Sequence, residues 1–499
     1  MKLTPSRMEF KELAKNANIV AISADVSTDL DTPVSAYYKL VNNEEGFLLE
    51  SVDAHQKFGR YSFIGAEPFV RLQIYKNRLM VQENYKMKAI DGDPVTAMNT
   101  YMKGFKSALG DINLPLANGG AVGYFNYETS AVFDRVRGVD IAEDEILGEF
   151  MICRILMVFD QQKNASKLIL LAETNDTDDD IDQIYTDAVN KLKDLKEKLY
   201  GVIPVQEIKS KPRQEKVDFL ARYGEMPEDF AKAIQKCKDY INAGDIFQVV
   251  PSRQFREKLT KPPFLFYRRL RQVNPSPYMF YLNFGRKKFV AASPEMLVKV
   301  AGKYVYTYPI AGTRKRGANE EEDKALEAEL VVNIKECAEH SMLVDLARND
   351  IGRISKPGTV RVTKLRQVER FSHVMHMVSE VMGDLKDGYT PMDVLKACFP
   401  AGTVSGAPKL RAMEIINELE PVKRGSYSGT VGYMDFNGNM DMCITLRTMI
   451  IDGDNAYIQS GAGIVYDSEA EFEYKEILQK SKAMFTVVEE VENDVAHFR

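Results

Sequence analysis

The spacing of apolar positions changes along this chain. Across residues 1–170, short apolar runs alternate with turn signals. Residues 47–49, 63–64 and 155–159 read as strands, and a Gly-Gly pair at 119–120 introduces another over 121–127. From 176 to 200 the pattern becomes helical. Residues 176–180 form an acidic cap, and Ile184, Ala188, Leu192, Leu195 and Leu199 then recur at three- and four-residue spacing. Residues 201–216 mix Pro204, Pro212 and charges with little periodicity, so the chain divides there into an N-terminal region, 1–200, a linker, 201–216, and a longer region, 217–499. In the longer region, Pro227-Glu228-Asp229 opens a helix that runs to Ala243 and stops at Gly244. Strands are expected at 247–251, 279–284, 289–292 and 296–300. A long helix is expected over 320–347, with Leu326, Leu330, Ile334 and Cys337 on one apolar stripe. Further strands are expected at 428–435, 443–451 and 456–459. A last helix begins near Asp467, where Ser468 and Glu471 fit a capping box. Hairpin-like strands with interspersed helices indicate an α+β fold.

Charge narrows the field. The 499 residues carry 66 Lys and Arg against 72 Asp and Glu, a net charge of −6, which argues against a general nucleic-acid binder. Five scattered cysteines form no C-x-x-C pair and no zinc knuckle, which points to a reducing compartment. No signal peptide is visible and the apolar runs are too short to span a bilayer, so a soluble cytoplasmic protein with no membrane partner is expected.

Several chemistries are missing. There is no G-x-S-x-G elbow and no phosphate-binding G-x-x-x-x-G-K-[ST] loop. Gly461-Ala462-Gly463 starts like a dinucleotide fingerprint, but Tyr466 stands where the third glycine belongs. None of the cysteines lies in a G-x-C-x-G setting, so the chain carries no glutaminase-type thiol. His340, His373 and His376 leave a zinc hydrolase imaginable, but their spacing fits no standard zinc motif.

The carboxylates are more informative. Glu336 and Glu339 share one helical face, as do Glu473 and Glu476, with Lys480 four residues further on. Two helices each offering an inward Glu suit Mg²⁺, a hard ion that retains water and accepts a substrate anion. A solvated face with Glu476–Lys480 pairing explains the same spacing. Glycine-rich turns at 311–314, 401–406, 424–429 and 461–463 allow backbone N–H groups to approach an anion, with Arg447 and Lys480 as cations. Together they suggest a pocket for a small polyanion.

Read in order, these segments resemble the chorismate-utilising enzymes, and within them the anthranilate synthase component I subfamily. The resemblance rests on residues 309–313 (PIAGT), Glu339-His340 through 344–350 (VDLARND), 374–376 (VMH), 402–409 (GTVSGAPK), 424–427 (RGSY), Arg447 and 461–463 (GAG), with 48–51 (LLES) upstream. It implies a large sandwich of two packed antiparallel sheets with helices outside. It also implies chorismate as substrate, with Mg²⁺ on Glu339 and Glu476. Chorismate would meet Gly312, Thr313, Tyr427, Arg447, Gly461, Ala462, Gly463 and Lys480. Ammonia would add at C2 as the C4 hydroxyl leaves, and pyruvate loss would then yield anthranilate. His376 would act as acid or base, and Thr403 would orient the leaving hydroxyl.

Two positions separate this subfamily from its relatives. Ala311 stands where aminodeoxychorismate-forming relatives carry a nucleophilic Lys, and Gln248 where isochorismate-forming relatives carry a water-activating Lys. The missing thiol implies a separate glutamine amidotransferase, component II, as ammonia source. The resemblance also implies feedback inhibition by L-tryptophan at a second site formed by Glu50, Ser51, Asn274, Pro277, Tyr278 and Met279. The turn between Asp467 and Glu473 is shorter than the family's, which leaves Glu473 as an alternative to Glu476 for the metal. The rival readings are an enzyme that stops at aminodeoxyisochorismate, an aminodeoxychorismate synthase, and a non-catalytic tryptophan-sensing subunit.

Overall fold

The computed structural model describes residues 2–51, 60–110, 112, 114–174, 180–203, 216–370 and 374–493. Most of the expected linker, residues 204–215, lies outside these. Twenty-two strands join in one hydrogen-bonded network, and a two-stranded ladder pairs Gln248–Val249 with Gly406–Ala407. Among the described residues every ladder is antiparallel except that of Ile19–Ala21 with Ser107–Leu109.

Strand alternation builds two cores. In the strand Ile19–Val26, Val20 and Ile22 enter a core shared with helices, while Ile19 and Ala21 enter a core between sheet layers. The helix-side core takes Tyr37, Leu192, Ile234, Tyr267 and Phe485. The inner core takes Phe47, Phe150, Phe289 and Met442. Strands buried on both faces read as continuous apolar runs, as in Gly148–Asp160.

The two parts of the chain share ladders. Gly46–Glu50 pairs with Tyr278–Phe284, placing Glu50 opposite Met279. Tyr278–Phe284 pairs with Lys287–Ser293, which in turn pairs with Thr448–Asp452. Gly120–Phe125 pairs with Thr430–Asp435. Among the described residues no helix is long and apolar enough to cross a membrane.

Most expected elements are present. The helix Ile181–Tyr200 is capped by Asp180, and Glu228–Asn242 ends before Gly244, whose φ is +82°. Three expectations need correction. The helix expected over 320–347 is two helices, Glu320–Val332 and Ile334–Ile354. Asn333 separates them, with its side chain accepting the Glu336 N–H at 3.1 Å, and Ile334, placed on the apolar stripe by its spacing, is 85% exposed. The strand expected over 443–451 is broken into Met440–Ile444 and Thr448–Asp452 by a turn in which Arg447 has φ +45°. The last helix is Ala470–Asn493, and the Ser468 hydroxyl accepts the Val465 N–H at 3.0 Å.

Candidate active site

A one-residue irregularity shapes one wall of the site. Where Ile310–Lys315 pairs with Val374–Asp384, Ala311 faces Met377 and Thr313 faces His376, leaving Gly312 as the extra residue with φ +72°. A Cβ on Gly312 would lie 3.1 Å from both Glu336 Oε2 and Leu330 Cδ1, so the position also needs a small residue. The bulge aims Thr313 Oγ1 at His376 Nδ1, 2.9 Å away, with the Gly312 carbonyl oxygen 3.3 Å from the same nitrogen. A carbonyl only accepts, so the Gly312 contact favours the tautomer with the proton on Nδ1 and the lone pair on Nε2. Burial pulls the imidazole down to about 4, against the Gly312 carbonyl and assisted by Arg447, so it is neutral at pH 7.

The helix Ile334–Ile354 packs over this wall. His340, fully buried, is 2.6 Å from Ser379 Oγ through Nε2, three residues beyond His376 on the same strand. That contact fixes the helix bearing Glu339 against the strand bearing His376. Burial pushes the Glu339 carboxyl up, and the negative charges of Glu336 and Glu476 add to this while Lys335 and Lys480 oppose it. Glu473 is likewise pushed up by burial and by Glu476, with a Ser468 hydrogen bond opposing. Glu339 and Glu476, from two helices far apart in sequence, thus lie within electrostatic reach of each other. Among the described residues no three His, Cys, Asp or Glu side chains close around one point. A pair of carboxylates is a hard-oxygen donor set of the kind Mg²⁺ accepts, an ion that keeps water and takes a substrate anion in its remaining positions.

The opposite wall is cationic. Lys480 Nζ donates to the Gly461 carbonyl at 3.0 Å and pairs with Glu476 at 2.7 Å. The Arg447 guanidinium is half-buried; burial draws its pKa down, opposed by Glu295. Tyr427 is buried, and its hydroxyl is 2.8 Å from where a Gly461 Cβ would be. Gln248 Nε2 is 2.7 Å from the corresponding point on Gly463. Any larger residue at either glycine would strike a polar side chain. Ala462 is fully buried between them.

Glu295 is the residue that sequence reasoning missed. It lies between the strands Lys287–Ser293 and Met296–Ala301, and burial raises its carboxyl to about 7, against Thr403, Lys480 and Arg447. Thr403 Oγ1 donates to its Oε1 at 2.9 Å. A cavity of about 50 Å³ touches both residues and reaches Asp350. The available signal was one carboxylate set between two strongly apolar strands, directly after Pro294.

These interactions link Glu339, Glu476, Lys480, Glu295, Arg447 and His376 into one electrostatic neighbourhood, with Gly312, Thr313, Thr403, Tyr427 and the 461–463 turn around it. Among the described residues the histidines do not converge. His340 faces Ser379 and His376 faces Thr313, while His373 lies outside the described residues.

A family model for chorismate binding enzymes matches residues 45–486. The chain belongs to the chorismate binding enzyme family. Within the family it is 44% identical to anthranilate synthase component 1 of Acetivibrio thermocellus, over 97% of this chain and 98% of that protein. It is 41% identical to the protein of the same name from Aquifex aeolicus, over 98% of each. A crystal structure of anthranilate synthase component I from Streptococcus pneumoniae superposes with a TM-score of 0.73 at 36% identity, over 92% of this chain and 98% of that one. The menaquinone-specific isochorismate synthase of Escherichia coli shares the fold, with a TM-score of 0.69 at 18% identity, over 97% of this chain and all of that one.

The six positions assigned to tryptophan lie elsewhere in this family member. Glu50 is buried, accepting the Tyr267 hydroxyl at 2.7 Å and pairing with Arg271 at 2.9 Å. Its second oxygen and the Ser51 hydroxyl are buried with no hydrogen-bond partner among the described residues. Residues 52–59, which follow Ser51, lie outside the described residues. Tyr278 donates to Asp441 at 3.0 Å on the inner face of its strand, and Met279 points to the helix-side core. Asn274 ends the helix Pro263–Val273, and Pro277 is half-buried beside the strand.

Proposed function

We propose that this chain is the synthase component that converts chorismate and ammonia to anthranilate and pyruvate. The observation that carries the reading is an acid and a base flanking one guanidinium. Glu295 is held near 7, His376 is held neutral, and both feel Arg447. Arg447 and Lys480 bind the substrate carboxylates, and the backbone at Gly461 and Gly463 approaches the ligand closely. Glu295, increasingly protonated as pH falls through about 7, donates to the C4 hydroxyl as it leaves as water, while ammonia forms the new bond at C2 and the resulting ammonium gives up a proton to water. Thr403 holds Glu295 in place for that transfer. Nε2 of neutral His376 then removes the C2 proton as the enolpyruvyl C–O bond breaks, and the ring becomes aromatic.

Glu339 and Glu476 would hold Mg²⁺, which when bound would supply countercharge for the ring carboxylate and for charge that develops beside it. Ala311 offers no amine for a covalent route, and Gln248 cannot take a proton from water, so ammonia is the fitting nucleophile.

In this reading the ammonia comes from glutamine through a separate amidotransferase, component II, in the cytoplasm. L-Tryptophan binds around Glu50, Ser51 and Tyr278 and inhibits. Residues 1–200 carry much of that regulatory region, and 217–499 carry the catalytic one. The test is incubation of the purified chain with chorismate, Mg²⁺ and ammonium at alkaline pH, with and without tryptophan. Fluorescent anthranilate and pyruvate in equal amounts are expected. A non-aromatic amine accumulating without pyruvate, or no turnover, refutes the proposal.

A further inference from the structure

A second cavity, of about 170 Å³, opens between the turn Tyr127–Thr129, the short helix Ser130–Phe133 and the end of the helix Lys409–Leu419. Val136, Met413, Ile416 and Val422 give it apolar walls. Its size is similar to that of an apolar protein cavity of about 150 Å³ that accepts benzene. Two polar groups in the lining lack what burial demands. Tyr127 is 6% exposed, and its hydroxyl has no hydrogen-bond partner among the described residues. Glu128 is also 6% exposed, and its carboxylate accepts the Gly425 N–H at 3.2 Å. The two nearby cations in the lining are committed elsewhere. Lys423 bonds to Glu145 at 2.6 Å and to the Asp140 carbonyl at 2.7 Å, and Arg424 pairs with Glu420 at 2.6 Å.

Burial pushes the Glu128 carboxyl up despite its backbone hydrogen bonds and with Lys287 within electrostatic reach, and a buried phenol without a partner is costly. One ligand relieves both. We propose that this cavity is a binding site for a small protonated amine carried on a one-ring apolar body, with the ammonium set between Glu128 and Tyr127 and the ring against Val136, Met413 and Ile416. Nothing in the chorismate reaction uses this site. It does share a wall with the candidate active site. The Arg424 guanidinium lies between two rings, 4.7 Å from the centroid of Tyr127 and 5.5 Å from that of Tyr427, and Tyr427 reaches Gly461.

Isothermal titration of the full chain with benzylammonium chloride tests the site independently of turnover. Saturable one-to-one binding is expected, with benzyl alcohol, the neutral molecule of similar shape, binding at least about tenfold more weakly. Glu128→Gln is expected to weaken benzylammonium about thirtyfold and to erase its advantage over the alcohol. Tyr127→Phe removes a single oxygen and is expected to weaken binding about fivefold, which keeps the test valid if Glu128→Gln fails to fold. No saturable binding, or an affinity that both folded variants leave unchanged, overturns the proposal.

Discussion

Thr403 and Glu295, 108 positions apart in the chain, meet through a 2.9 Å hydrogen bond in which the hydroxyl donates to the carboxylate. That bond favours the ionised acid, whereas burial, the larger effect, favours the protonated one and brings the group to about 7. As a proton donor, Glu295 works only while protonated. Turnover per free ammonia should therefore decline as pH rises above about 7. Thr403→Val removes the bond that favours the anion, so this alkaline limb should move to higher pH. Glu295→Gln should abolish the limb and cost about 100-fold or more in kcat. Steady-state kinetics across pH 6–9, corrected for the ammonia fraction, measure both effects.

His376 yields a stability prediction. Its folded-state pKa, lowered by burial to about 4, lies below the unfolded value of about 6.5. As pH falls from about 6.5 to 4, the unfolded chain takes up this proton before the folded one, so stability is lost across that window and levels off below it. Urea melts of the protein and of His376→Asn should diverge only there, the variant losing less. Because Glu295 acts in the opposite sense over part of the same range, the difference between the two proteins is the informative quantity.

Glu339→Gln and Glu476→Gln should each reduce anthranilate formation by about 100-fold or more. Both should also weaken stabilisation by Mg²⁺ in thermal melts. Glu473→Gln should change either readout much less. If Glu473 held the ion in place of Glu476, the two results would be exchanged, and the melting curves would show it without any assay of activity.

Ser51→Ala and Glu50→Gln alter groups buried at the end of the strand Gly46–Glu50. Each should raise the tryptophan concentration for half-inhibition by about tenfold, which corresponds to loss of one buried polar contact. Inhibition curves at fixed chorismate decide this, and unchanged curves would remove these residues from the proposed regulatory site.

Arg447→Ala should raise the KM for chorismate by at least about tenfold, since the guanidinium proposed to bind a substrate carboxylate is lost. Arg447→Lys should recover only part of this, because a point charge does not replace the planar fork. Chorismate titrations at saturating ammonium and Mg²⁺ separate the two variants.

Much of the fold was legible because apolar spacing survives wherever one face of an element meets a core. The helix Ile181–Tyr200 and the strands 278–284 and 287–293 all lie where periodicity puts them. Asn333 was not legible. The apolar stripe continues through Ile334, and only the side chain's competition for the Glu336 N–H breaks the helix. Arg447 hid a turn inside an apolar run, since a positive φ at a non-glycine residue leaves no compositional trace. In the candidate site, glycines and paired carboxylates stood out as types. Glu295 did not, because its character comes from neighbours supplied by distant segments, and its place between two apolar strands was the one trace it left in the sequence.

The ladders that run from Gly46–Glu50 through Tyr278–Phe284 and Lys287–Ser293 to Thr448–Asp452 set a short distance between the two ends of the molecule's business. Glu50 and Arg447 are separated by three strand widths, roughly 14 Å. They stand at the two ends of one continuous run of antiparallel ladders. Under the proposed regulation, an amino acid bound beside the first strand would press on one end of that run, and the turn holding Arg447 stands at the other.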